Sequence, residues 1–420
     1  MFKSLNIGLK LVLSVAISII TGIAILVTIL SIQVASNMEN EAKNSIFLSA
    51  KRYGNFMQGI LNEEVVLTKG MATSLNEMFS KYDQVDVALI ESLLKNTFDS
   101  SGYAAYSFLW LKDPSVLSDI QALDSNFKSS NGKTFAMIFF DETTGKAGGI
   151  RSIKVPNNFS QLNILQKIEQ NAKYGDLDTL FVGAPSKLNY DGHDFLGINL
   201  GMPIFNSKGK FVGVVGYTFD FLEISQDMLD PKLDAYEGDL RFLMTDQGVI
   251  TIHKNKDAIL KTLPEINKDP STKFIIDAVK ERKDIIIDDY TDSNGNLSFA
   301  SITPFSTLGD SSHWSIIVTA PKKSVLQPLY KLQFILIIIA LVIVVIILAI
   351  VYFCVNKIVG ARIPIILHSL QNFFKFLNHE TKEVQTIKIK ADDELGRMGK
   401  IINENITKTK NALEQDAKAV

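Results

Sequence analysis

The sequence predicts an α/β (α+β) extracytoplasmic domain held between two transmembrane helices and followed by a short α-helical module. Three observations carry that prediction. Leu332 to Val355 is a run of about 24 residues without a charge, flanked by Lys331 and Lys357; at an α-helical rise it spans about 36 Å, more than the ~30 Å of bilayer hydrocarbon. A second run, between Lys10 and Glu39, is also free of charge. Between the two, helical spacing of apolar residues gives way twice to short alternating runs separated by turn residues.

Composition narrows the function. Of 420 residues 46% are hydrophobic and the net charge is −2, a balance that implies no nucleic-acid partner. Cys354 is the only cysteine, which excludes an intrachain disulfide and a cysteine-based metal site. The 11 prolines and 25 glycines are spread out, so no low-complexity linker is expected. There is no G-x-S-x-G, H-E-x-x-H or Walker-type loop. None of His193, His253, His313, His368 and His379 lies three or four residues from another, as helical metal ligands would. Gly148-Gly149 reads as a hairpin turn rather than a phosphate cradle, and Asp392, Asp393 and Glu394 as helix-capping carboxylates. No enzyme, metal or cofactor is expected.

The elements follow in order. Residues 1–10, with Lys3 and Lys10, form a cytoplasmic N-terminus. Residues 11–34 form the first membrane helix, too long for the apolar region of a cleaved signal peptide. The extracytoplasmic region, 35–330, opens on a long amphipathic helix over 40–82. Its apolar positions are Ile46, Ala50, Tyr53, Met57, Ile60 or Leu61, Val65, Thr68 and Leu75, and it runs on from the membrane helix. A distal module, 83–230, has helices at Val85 to Phe98 and Leu162 to Lys173. Its strands are expected at Tyr103 to Leu111, Thr134 to Phe140, Leu196 to Phe205 and Lys210 to Phe221. A smaller proximal module, 235–325, repeats the pattern: a hairpin over Leu240 to His253, a helix at Phe274 to Lys283, and strands at Lys283 to Tyr290, Leu297 to Ile302 and His313 to Ala320. The second membrane helix is 332–355. Residues 357–412 hold two helices with heptad-like spacing joined by a polar connector, Asn378 to Lys390, and 413–420 begin a further helix.

At this point the chain resembles a known family. The hairpin FNSKGKFVGVVGYTFDF, with Pro203, Gly209, Gly213 and Gly216 in rhythm, resembles the closing hairpin of double Cache (tandem PAS-like) ligand-binding domains. Trp314 to Pro321 resembles the last strand of their proximal module. Pro364 and the D-E-L-G run containing Glu394 and Gly396 resemble a HAMP signal-relay module. Together these look like a methyl-accepting chemotaxis receptor of a bacterial inner membrane, with a periplasmic sensor and both termini cytoplasmic. The resemblance implies a homodimer, a small-molecule ligand and, through a signalling hairpin, a chemotaxis kinase and adaptor. Such receptors continue well beyond HAMP, whereas this sequence ends at Val420. The expectation is an output domain supplied by a separate chain, or a truncated and silent receptor; a histidine kinase or cyclic-nucleotide output in trans is the alternative.

Ligand chemistry is read from the distal module. Family members that bind amino acids hold the ammonium with an Asp two residues past G-V-V-G, where this chain has Thr218. A threonine cannot neutralise a buried ammonium, which points to a ligand without one, such as a formate-, lactate- or dicarboxylate-like anion. Arg151 and Lys154 are candidate cations for it. Tyr106, Phe108 and Trp110 share one strand face that suits either core or pocket. Ser186 stands where the family often has a pocket tyrosine, and Asn199 faces either the pocket or a sheet edge. Asp220 shares the face of Thr218 if the strand is regular, which would restore an amino-acid ligand; a bulge would turn it away.

Overall fold

The computed structural model describes residues 7–119, 124–127, 133–176, 178–378, 380–381 and 383–419; Lys3, His379 and Val420 lie outside them. The chain divides into two units, Ser36–Gln327 and a second made of Met1–Ala35 with Pro328–Val420.

The first helix, α1 (Ile7–Lys81), is continuous, as the sequence predicts. Within the sensory unit its stripe at three- and four-residue spacing is buried from Ile46 through Tyr53, Met57, Leu61 and Val65 to Leu75. Strand β1 (Val85–Asp86) takes the first two residues of the predicted second helix, because they pair in parallel with β3 (Leu117–Ser118). Asp86 then caps α2 (Val87–Phe98) by accepting a hydrogen bond from Ala88 N.

The distal sheet comprises β2 (Tyr106–Leu111), β4 (Phe135–Asp141), β5 (Ile150–Ser152), β6 (Phe181–Val182), β7 (Ser186–Tyr190), β8 (His193–Phe205) and β9 (Phe211–Asp220). Its order is β5-β4-β2-β9-β8-β6, with β7 also paired to β8. All these pairings are antiparallel. One face, carrying Leu109, Met137, Ile198 and Tyr217, belongs to the core that includes α1 and α2. The other, carrying Tyr106, Phe108, Trp110 and Ile138, packs with Ile164, Leu165 and Ile168 of α3 (Asn163–Asn171). Helix α4 (Phe221–Met228) leaves the end of β9 directly.

The proximal sheet has the order β11-β10-β14-β13-β12, from β10 (Leu240–Thr245), β11 (Ile250–Ile252), β12 (Ile285–Thr291), β13 (Leu297–Ser306) and β14 (His313–Pro321). A single turn, α5 (Leu263–Ile266), and α6 (Thr272–Glu281) precede β12, and α6 ends on Arg282 in the left-handed region.

Helix α7 (Lys322–Val355) begins ten residues before the charge-free stretch (Lys322 against Leu332), and from Pro328 onward it belongs to the second unit. Its apolar surface from Phe334 to Phe353 is exposed, as lipid contact requires. A π-helical turn, Asn356–Gly360, leads to α8 (Ile363–Leu377), with Pro364 in its first turn where no amide donor is needed. Helix α9 (Glu394–Ala419) follows a connector whose described residues form no helix or strand.

Candidate functional site

The candidate residues of the distal sheet converge on the face that looks toward α3. Tyr106 pairs with Thr218 across β2–β9, and Asn199 with Thr218 across β8–β9. Thr218 is fully buried, and its hydroxyl donates to Asn199 Oδ1 at 2.5 Å. The Tyr190 hydroxyl donates to the same oxygen at 3.2 Å and lies 3.5 Å from Thr218 Oγ1. Asn199 therefore receives two hydroxyls on one carbonyl oxygen, while its amide NH2 has no protein partner among the described residues.

Aromatic rings close over this uncharged set. Tyr106 stacks on Phe195 at 4.8 Å and meets Tyr190 edge-on at 5.0 Å, and Phe159 lies 5.9 Å from Tyr190. Burial keeps the Tyr190 phenol well above its ordinary range and pushes Tyr106 up to about 12, the latter helped by the Asp220 carboxylate. Tyr190 thus enters the set as a neutral hydroxyl. Beneath the rings, Gly216 permits close strand approach: a Cβ there would come within 1.8 Å of the Leu200 carbonyl oxygen and 2.8 Å of Phe108. Trp110 shares the face but stands opposite Val214, and its indole N–H is buried without a partner among the described residues.

Charged groups lie at the edge. The β8–β9 ladder is regular from Gly197 to Met202, so Asp220 does share the face of Thr218. Its carboxylate caps α4 through Leu222 N at 2.7 Å. Burial raises its pKa against those backbone donors, and burial together with Asp220 raises that of Glu223. Arg151 lies exposed on β5 opposite Phe140, its guanidinium 5.1 Å from that ring and paired with Glu142 (2.7 Å) and Asp191 (3.5 Å). Lys154 is exposed and without an ion pair, and Ser186 opens β7 opposite Gly197 with no side-chain hydrogen bond. Arg151 thus reaches the rim of the cluster, while Lys154 and Ser186 make no contact with its polar centre.

The residues that the sequence predicts for a relay sit in the second unit. Arg362, just before α8, grips Asp393 with two bonds, Nη1–Oδ2 at 2.5 Å and Nη2–Oδ1 at 2.8 Å, and this pairing holds the Asp393 carboxyl down at about 2. Asp393 Oδ1 also accepts from Gly396 N, and a Cβ on Gly396 would stand 1.8 Å from the Ala391 carbonyl oxygen. Glu394 is exposed and meets only Arg397 at 3.3 Å, so Asp393 rather than Glu394 ties the helix starts together. Asn403 clamps the connector through both the amide and the carbonyl of Ile387.

A profile described as methyl-accepting chemotaxis protein-like, first PDC sensor domain, matches residues 90–226. The periplasmic sensory domain of the Campylobacter jejuni chemoreceptor Tlp1 is 33% identical, with a TM-score of 0.64, over 69% of this chain and 99% of that one. The chain belongs to the chemoreceptor sensory-domain family. Two further structures share the fold alone. One is Methyl-accepting Chemotaxis protein X (14% identity, TM-score 0.52, 67% of this chain and 99% of that one). The other is the extracellular domain of mmHK1S-Z3, named for a histidine kinase (15%, 0.53, 69% and 98%). No curated protein sequence matches the chain.

The Tlp1 domain that this chain matches is a chemoreceptor sensory domain, and no cluster of three metal-ligating side chains occurs among the described residues. Sequence reasoning missed Tyr190 and Phe195. The available signal was Asp191-Gly192, both at positive φ, which turns β7 into β8 as a two-residue hairpin.

Proposed function

We propose that the chain is a homodimeric transmembrane chemoreceptor sensor whose distal module binds a small carboxylate lacking an α-ammonium, and that the signal passes through α7 to a HAMP module formed by α8 and α9. The observation that carries the ligand assignment is the Tyr190–Asn199–Thr218 set: buried, uncharged, and with the Asn199 NH2 left over as a donor. Such donors suit a carboxylate oxygen, and Arg151 at the rim supplies a counter-charge. A buried ammonium would cost several kcal/mol unless a free carboxylate met it, and Asp220 is committed to capping α4. Entry requires the Tyr106, Tyr190 and Phe195 rings to move, so bound and free states differ in packing and a ligand can bias one of them.

Support for the relay comes from the second unit. Ile365, Phe374, Met398 and Ile401 are exposed there, a stripe that a second copy would cover in a parallel four-helix bundle. A coupling of about 1–3 kcal/mol between the two states would suffice for signalling. With both termini cytoplasmic, α9 points its apolar positions toward a signalling domain and, through it, a chemotaxis kinase and adaptor.

A second reading, an amino acid, is favoured by the regular register that puts Asp220 beside Thr218. The test is a thermal-shift screen of the full chain in nanodiscs against formate, lactate and free amino acids. A ligand at about 100 times its Kd adds roughly 2.7 kcal/mol. The expected result is a shift with a monocarboxylate that is lost in Asn199→Leu. A shift with amino acids alone, lost in Asp220→Asn, would replace the first reading by the second.

A further inference from the structure

A second concave site lies between the distal and proximal modules, with Phe195 in its lining. It encloses about 710 Å³, within the range of small-molecule sites. The distal wall is Lys187 of β7, Phe195 of β8 and Leu222 of α4; the proximal wall is Lys256, Ile259 and Lys261, from the segment after β11. None of the three ammonium groups has a carboxylate within 4.0 Å among the described residues, unlike Lys43, Lys51, Lys112 and Lys322 of the same unit, which are ion-paired; Lys261 acts on the Glu265 carboxylate only at longer range. Two carboxylates, Asp194 and Asp257, also line the site, and Asp194 is already held by Asn189 Nδ2 at 2.5 Å. The walls between the cations are apolar, and Leu222 is 38% exposed there.

We propose that this cleft is a second ligand site, for an organic di- or tricarboxylate with an apolar body. Each end of such an anion meets ammonium groups from a different module, and its hydrocarbon covers Leu222 and Ile259. Because the two walls come from different modules, occupancy favours one arrangement of them. Phe195 stacks on Tyr106 and lines the cleft, and Leu222 lies two residues beyond Asp220, so the same elements border both sites. A cleft anion therefore alters ligand affinity in the distal module, and by linkage the reverse holds.

The test is calorimetric titration of the full chain in nanodiscs with adipate and with benzene-1,3,5-tricarboxylate. Binding is expected to weaken at least tenfold in Lys187→Gln/Lys256→Gln/Lys261→Gln and to fall steeply with salt, while Asn199→Leu leaves it within twofold. Should the triple variant fail to fold, Leu222→Glu sets a carboxylate among the three ammonium groups and is expected to give the same loss. No heat with either probe overturns the proposal, and so does binding that survives both cleft variants. Loss in Asn199→Leu alone would place the anion in the distal cluster and also overturn it.

Discussion

The two modules are built alike and differ where it matters. In both, one sheet face packs with α1 and the other with a local helix. On that second face the distal module buries Tyr190, Asn199 and Thr218 under aromatic rings. The proximal module fills the same face with Phe242, Met244, Ala300, Ile302 and Ile317 against Ile275 and Val279; its buried Tyr290 hydroxyl is met by Asn267 Nδ2 at 3.2 Å, and the buried Ser298 and Thr319 hydroxyls there are bonded to backbone groups. Its charge is spent on the α1 side instead. Buried Arg241 donates to the Tyr53 hydroxyl of α1 at 2.6 Å, to the Asp230 carbonyl at 3.0 Å, and pairs with Asp234. On the proposed function the distal face keeps polar groups for an occupant, whereas the proximal module ties Arg241 to α1 through Tyr53.

Breaking the proximal tie should cost most. Arg241→Ala leaves buried Asp239 and half-buried Asp234 without their cation and should destabilise the full chain by about 3–5 kcal/mol, read as a lower Tm. Ligand affinity at the distal face should stay within a few-fold.

Glu64 offers a pH handle on the distal side of α1. Fully buried, it accepts from Ser101 Oγ at 3.0 Å while Oε2 has no partner; its surroundings include Glu63 and Tyr217. Burial, opposed by the Ser101 hydrogen bond and helped by Glu63, raises its pKa to about 8. The folded chain thus keeps a proton that the unfolded chain releases above about 4.5, so stability from this group falls as pH rises from there to about 8 and is level beyond. The loss is at most about 5 kcal/mol by linkage. Melting curves across that range should show the slope, and Glu64→Gln should flatten it.

A smaller effect sharpens the distal half of the comparison. Thr218→Val removes one donor from Asn199 Oδ1 while Tyr190 remains, which should cost about 1–2 kcal/mol of stability. It should weaken carboxylate binding far more than that stability change alone implies. The exposed Lys51–Asp284 pair marks the bottom of the scale: Lys51→Ala should change Tm by less than about 1 kcal/mol equivalent.

Much of this was legible in the sequence. The stripe on α1 follows from its spacing, and both sheets follow from alternating runs between Gly, Asn and Asp turns. Thr218 and Asn199 stood out as polar residues in apolar strands, and the structure places them side by side. Other features depended on contacts between distant parts of the chain. Serine, lysine and asparagine in β7 hide a strand whose Tyr190 completes the polar set. Glu64 falls between Leu61 and Thr68 on the buried stripe, but a glutamate in a helix reads as solvent-facing until its neighbours are known. Asp393 could not be preferred over Glu394 without Arg362, which comes 31 residues earlier.

Amide hydrogen exchange of the full chain in nanodiscs, with and without a carboxylate that raises its Tm, tests the division of roles most directly. The account predicts added protection in β7, β8 and β9 around Tyr190, Asn199 and Thr218, with smaller changes in β10 and β14. Protection centred on β10–β14, with the distal strands unchanged, would contradict it.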